Sequence, residues 1–177
     1  LYQNINGKEI FRMIFFLPYV TPAVTTAVVF QIIFSNRETN IANTVLGLFG
    51  IDPLKWRFEK LPITNLMGLD LEGFWAGPSL ALVTIILFGI WTFIGYNTVI
   101  FLAGLGNIPK ETYEAAEIDG ASKTDKFRYI TVPLISPITF YLTLIAFIGT
   151  FKAFNHIYVM RTPSAGDSVL TTSILIW

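Results

Sequence analysis

Residues 114–133 read EAAEIDGASKTDKFRYITVP, a polar, two-signed stretch lying between long apolar segments. The contrast decides the fold. No charged residue occurs from Met13 to Asn36, from Gly73 to Pro109 or from Tyr129 to Phe151, runs of 24, 37 and 23 residues. A helix that crosses a bilayer needs about 20 predominantly apolar residues. The sequence therefore predicts an all-α, polytopic membrane protein with three complete spans, at about 10–34, 78–105 and 133–152. Val169–Leu170 and Ile174–Trp177 predict the start of a fourth near 169–177. A compact charged segment between two spans presents a surface to something in the water.

Composition agrees. The 177 residues are 53% hydrophobic, 15% aromatic and 14% charged, against about 25% charged in an ordinary soluble domain. The net charge of zero points to neither a nucleic-acid partner nor a polybasic membrane anchor. The absence of cysteine excludes disulfide frameworks, thiolate zinc sites and cysteine nucleophiles. His156 is the single histidine and has no carboxylate close in sequence, so it reads as a packing or interfacial residue, and no metal site is expected. There is no GxxxxGK[ST] phosphate loop, so ATP would have to be bound by another chain. No catalytic constellation and no cofactor site is expected, and the chain reads as a non-enzyme. The start at Leu1 and the abrupt apolar end at Trp177 predict a fragment of a longer subunit.

Pro18 and Pro22 lie inside the first span. Thr21, Thr25 and Thr26 can re-satisfy the carbonyls that they free. A kinked packing helix is favoured over a kink that shapes a pathway, because proline is common in membrane helices. In the loop that follows, Ile41, Val45, Leu48 and Phe49 have helical spacing, which predicts a short interfacial helix. Trp56 and Trp75, among Lys55, Arg57, Glu59 and Lys60, read as headgroup-level belt chemistry. Lys/Arg counts are six on each side of the membrane, so charge bias does not orient the chain.

Within the polar stretch, Pro109 and Glu111 open a helix, Ala115 and Ala116 propagate it, and Gly120 stops it. Ser122–Asp125 predicts a capping box that opens a second short helix toward Ile130, with Pro133 as its exit into the next span. Ala115, Ala116, Gly120 and Ala121 leave a surface of little bulk. The pattern Glu114-Ala115-Ala116, three residues, Gly120, nine residues, Ile130-x-Val132-Pro133 resembles the cytoplasmic loop motif of binding-protein-dependent ABC importer permeases. Val132 stands where that motif usually has leucine. The flanks FFLPYVTP, GYNTVIFLAGLGNIPKETYEAAEIDGA and FNHIYVM are similar to the sugar-importer branch, including the membrane subunits of maltose and glycerol-phosphate transporters.

The resemblance covers essentially the whole chain. It implies one type I ABC transmembrane domain over 1–177, with 106–132 as a cytoplasmic coupling loop seated in a groove of an ABC ATPase dimer. Glu114 would contact the ATPase, Gly120 would permit the turn and Asp119 would cap or pair locally. Ala115, Ala116, Ala121, Ile130 and Pro133 complete the motif. Lys123, Lys126 and Arg128 read either as partners for ATPase acids or as a solvated face. The implied partners are that ATPase, a second permease subunit forming a heterodimer, an extracytoplasmic solute-binding protein and the lipid of a prokaryotic plasma (inner) membrane. For a carbohydrate, Trp91, Tyr96, Asn97, Tyr141, Phe151 and Asn155 supply aromatic faces and polar groups in or beside spans. Taken singly, each reads first as packing or interfacial belt, because aromatics are enriched at membrane interfaces. The alternatives are an ABC permease for another solute and an ion-coupled secondary transporter, although the spans carry no charge to mark an ion path.

Overall fold

The computed structural model describes residues 7–66, 68–69, 71 and 73–176, without the side chains of Lys8 and Phe74. Leu1 and Trp177, the ends of the expected domain, lie outside the described residues. The elements are helical throughout. In chain order they are α1 (Lys8–Val20), α2 (Ala23–Ile33), α3 (Ile41–Gly47), α4 (Ile63–Leu66), α5 (Leu80–Gly106) and α6 (Lys110–Ile118). There follow α7 (Lys123–Asp125), a π-helical turn (Lys126–Thr131), α8 (Val132–Lys152), α9 (Asn155–Met160) and α10 (Thr172–Ile176). Short 3₁₀ turns occupy Trp56–Phe58, Gly73–Ala76 and Pro163–Val169.

Among the described residues, two helices are long and apolar enough to cross a membrane: α5, with 27 residues, and the continuous helix Lys123–Lys152, with 30. Glu9–Val20 and Ala23–Ile33 together make a third candidate. At 1.5 Å per residue, α5 is about 40 Å long, enough for a ~30 Å hydrocarbon core with tilt to spare. Only 17% and 6% of the most apolar windows of the two long helices are buried. Their side chains face outward, as expected where lipid or another subunit is the solvent.

Two expectations need correction. The helix expected across 10–34 is not one kinked rod. It ends at Val20 and restarts at Ala23, because Pro22 has ψ 124, outside the helical region. The Thr21 position before a proline also disfavours helix. The freed Pro22 carbonyl accepts from both the backbone N–H and the hydroxyl of Thr26, at 3.1 and 3.2 Å. Nor does Pro133 separate the second short helix from the helix that follows it. The helix runs unbroken through Pro133 from Lys123, with the π turn directly before it. A proline ring would clash with the carbonyl four residues back in a regular helix. In the widened turn the Val132 N–H reaches the Phe127 carbonyl, five residues back, and the crowding is relieved.

The chain forms two compact units. The first comprises residues 1–20 and 92–150. Here α1 meets α5 at Gly95, where a Cβ would overlap the backbone carbonyl of Phe15, and Gly104 leaves room for the Ile138 side chain of α8. Small residues at crossings let membrane helices approach closely. The second unit comprises residues 21–91 and 151–177. Its core joins Ala27 and Phe30 of α2, Ala81, Ile85 and Phe88 of α5, Ile157 and Met160 of α9, and Ala165 and Val169. His156 is half-buried and stacks on Phe88 with ring centroids 4.9 Å apart, so packing is what it does.

Candidate functional site

The polar stretch folds into a closed corner. At the end of α6 the Gly120 N–H bonds the Glu117 carbonyl at 3.0 Å and the Ala121 N–H bonds the Ala116 carbonyl at 2.9 Å. Gly120 has φ +79. These are the two bonds of a Schellman stop, which needs a left-handed residue just past the cap, and glycine adopts that conformation without steric cost. Asp119 is the capping residue itself and donates its N–H to Ala115 and Glu117 carbonyls. Two residues later Ser122 starts α7 with a complete capping box. Its hydroxyl accepts from the Asp125 N–H at 3.2 Å, and the Asp125 carboxylate accepts from the Ser122 N–H at 3.1 Å. The Ser122 hydroxyl also donates to that carboxylate at 2.6 Å, and this bond, together with the one from the Ser122 N–H, favours the ionised form and holds Asp125 below its ordinary pKa.

Two further links fasten α6 to the π turn. The Tyr113 hydroxyl lies 2.9 Å from the Thr131 hydroxyl, which donates to the Lys126 carbonyl at 3.3 Å. The Lys126 ammonium donates to Glu117 at 2.5 Å and holds that carboxyl below its ordinary pKa. Lys126 is thus engaged inside the corner. Arg128 lies over the Tyr129 ring, 5.8 Å from its centroid. Glu114, Ala115, Asp119 and Gly120 are exposed, as is Pro133, whereas Ala116, Ala121 and Ile130 are half-buried. Glu114 also lines a groove of about 510 Å³ with Leu105, Lys110, Tyr113, Lys126 and Thr131. Ile118 at the end of α6 and Phe127 in the π turn, 88% and 60% exposed, leave large apolar side chains uncovered on the corner.

The residues named for a solute path divide between the units. In the first unit Tyr96 stacks on Tyr19 at 4.5 Å and has Tyr141 as a neighbour, so three tyrosines from α5, α8 and α1 meet. Tyr19 was not foreseen, and only its one-turn spacing from Phe16 within an apolar helix hinted at it. Asn97 is half-buried next to Tyr96 in sequence. Trp91 belongs to the second unit and lines an apolar groove of about 500 Å³ with Thr21, Thr25, Thr26 and Phe30. Phe151, whose carbonyl accepts from the Ser173 hydroxyl, and Asn155, exposed at the start of α9, also belong there.

The second unit also holds a hydrogen-bonded loop module in place of the expected interfacial belt. Asn40 caps α3, its side chain accepting from the Asn43 N–H at 2.7 Å. The Asn43 amide is saturated: its oxygen accepts from Leu54 N–H at 3.0 Å and the Trp56 indole at 2.7 Å, and its nitrogen donates to Arg37 and Leu54 carbonyls at 3.2 and 3.1 Å. Trp56 is therefore a buried anchor, while Trp75 is exposed. Buried Arg57 donates to the Met160 carbonyl at 2.8 Å, at the C-terminus of α9, and its own carbonyl accepts from Thr162 at 2.8 Å.

Comparison with known proteins places this architecture. The arabinooligosaccharide transport system permease protein AraP of Halalkalibacterium halodurans is 35% identical over 168 residues, covering 94% of this chain and 48% of that protein. The lactose transport system permease protein LacF of Rhizobium radiobacter is 32% identical over 178 residues, covering 98% of this chain and 53% of that one. The chain spans about half the length of the curated relatives it matches. Its fold is similar to that of a chain in the crystal structure of a bacterial ABC transporter that imports the acidic polysaccharide alginate. The TM-score is 0.76 at 21% identity, over 99% of this chain and 56% of that chain. Residues 1–176 match the family of binding-protein-dependent transport system inner membrane components, and the chain belongs to that family.

Proposed function

We propose that the chain is part of the permease subunit of an ATP-driven importer in a prokaryotic plasma (inner) membrane, and that it carries a carbohydrate. Residues 1–177 are one permease domain, with spans at about 10–34, 78–105 and 133–152 and another starting near 169–177. Loop 106–132 faces the cytoplasm and docks on a dimer of separate ATPase subunits. A second permease subunit completes the pathway, and an external binding protein delivers the solute. The observation that carries this reading is the exposed corner Glu114–Gly120, closed by a Schellman stop on one side and a capping box on the other. A lever must be stiff to transmit a domain motion, and this stretch has its own local stiffening. The low bulk of Ala115 and Gly120 permits close approach by another backbone.

Carbohydrate is supported by the relatives named for arabinooligosaccharides and lactose, and by the tyrosine cluster, which offers flat faces and hydroxyls of the kind that sugar rings accept. Within this reading Trp91, Asn97, Phe151 and Asn155 contribute to the path beside Tyr96 and Tyr141. The test is a single cysteine at Ala115 in the full-length subunit, freed of other cysteines and co-expressed with the neighbouring ATPase. A nucleotide-sensitive crosslink is expected. Its absence, with the thiol accessible and the subunit inserted, would remove the docking assignment. In the same background, Glu114→Ala should uncouple transport without affecting insertion, and undiminished uptake would count against the motif.

A further inference from the structure

Tyr113 and Glu117 stand four residues apart, and so on one face of α6, and each grips the π turn. Both grips converge on one residue. Lys126 receives the hydroxyl relay from Tyr113 through Thr131 on its carbonyl, and gives its ammonium to Glu117. Because the Thr131 hydrogen goes to the Lys126 carbonyl, the Tyr113 hydroxyl is the donor to Thr131. Two attachments one helical turn apart resist rocking in a way that one cannot. The chain itself joins α6 to α7 through the Gly120–Ala121 turn, where Gly120 is left-handed with nothing within 4 Å of a Cβ position. Without the two grips, motion of α6 would be absorbed at Gly120. With them, it passes directly into the π turn. That turn is continuous with α8, and its hydrogen bond reaches one residue further back than in an α-helix.

We propose that Tyr113 and Thr131 are positioning residues for energy coupling: they clamp α6 to the π turn, so that displacement of α6 is delivered to α8 instead of being lost at Gly120. The inference rests on the docking of loop 106–132 proposed above. Neither residue needs to touch the ATPase or the solute.

The test uses the assembled, full-length transporter in proteoliposomes and reads solute moved per ATP hydrolysed alongside the Ala115→Cys crosslink. Tyr113→Phe and Thr131→Val each delete one member of the relay, and each should lower solute per ATP roughly two- to tenfold, the range expected for one hydrogen bond. The crosslink should persist in both. Thr131→Ser, which keeps the hydroxyl, should restore coupling, whereas a loss through altered packing would not be rescued in this way. An unchanged ratio in both deletion variants, with the crosslink intact, overturns the clamp and leaves the docking assignment standing. Failure of the crosslink in the protein with Tyr113 and Thr131 intact overturns docking and the clamp together.

Discussion

The corner at 106–132 and the loop module around Asn43 and Arg57 are both irregular, polar and poor in apolar burial, yet they are held by different means. In the corner, every defining bond spans a short stretch of chain: five residues for the Schellman stop, three for the capping box, nine for Lys126–Glu117 and eighteen for Tyr113–Thr131. In the loop module the decisive links join residues 103 and 105 apart, Arg57 to Met160 and Thr162 to Arg57. The first region can form as soon as its own sequence is made. The second requires the chain to return after two more long helices. The corner should therefore be robust to change elsewhere, and the module should fail as a unit.

The largest effect is expected in the module. Asn43→Leu removes four hydrogen bonds and leaves the buried Trp56 indole and the half-buried Leu54 N–H without their partner. Buried orphaned donors cost about 1–3 kcal/mol each, so a loss of about 4 kcal/mol is expected. It should be read as faster proteolysis of the 36–79 loop in detergent-purified protein, with cleavage of 106–132 unchanged. Equal cleavage of both regions would mean that they are not independent.

The same contrast explains what could be read in the sequence. Fold class followed from charge-free runs, because a bilayer imposes a length on apolar segments and every span must meet it. The corner was legible because Gly120, Ser122 and Asp125 are local punctuation with fixed spacing. The module was not. Asn43 looks like any loop asparagine, and Trp56 like an interfacial one, until the Leu54 backbone and the indole are brought to the same amide. Asn40, three residues before Asn43, was a cap signal that could have been taken. The break at Pro22 and the continuity through Pro133 were each misjudged for one reason. Sequence locates a proline, but whether the helix stops or widens into a π turn depends on backbone conformation and neighbouring bonds. Tyr19 joined the tyrosine cluster unseen, because contact between α1 and α5 depends on Gly95 admitting the Phe15 backbone.

A smaller effect is expected at Gly120. Nothing lies within 4 Å of a Cβ there, so Gly120→Ala adds no clash and its cost is conformational, about 1–2 kcal/mol for a left-handed L-residue. The Ala121 amide should lose roughly five- to thirtyfold of its hydrogen-exchange protection. Gly120→Asn should lose less, since asparagine tolerates that conformation. A larger loss in Gly120→Asn than in Gly120→Ala would show that the position is constrained by space and not by φ.

The smallest effect is a pH dependence confined to the corner. Glu117 and Asp125 both titrate below their ordinary values of 4.5 and 3.8, Glu117 through the Lys126 hydrogen bond and Asp125 through the bonds to Ser122. A carboxyl with a depressed folded pKa contributes stability that is complete above its unfolded value and is lost as pH falls through its folded value. A spin label at Lys123 should therefore be immobile from neutral pH down to about 5, and should gain mobility only as the medium is acidified below the ordinary carboxylate range. The two contributions separate by salt. The Glu117–Lys126 pair is an ion pair at the surface and should weaken as ionic strength rises, whereas the Ser122–Asp125 box is built on hydrogen bonds between a carboxylate, a neutral hydroxyl and the backbone and should weaken less. Glu117→Gln should then abolish the salt-sensitive part of the acid transition and leave the rest. If it abolished the whole transition, the capping box would not be contributing to the stiffness of the corner, and the ion pair alone would have to supply it.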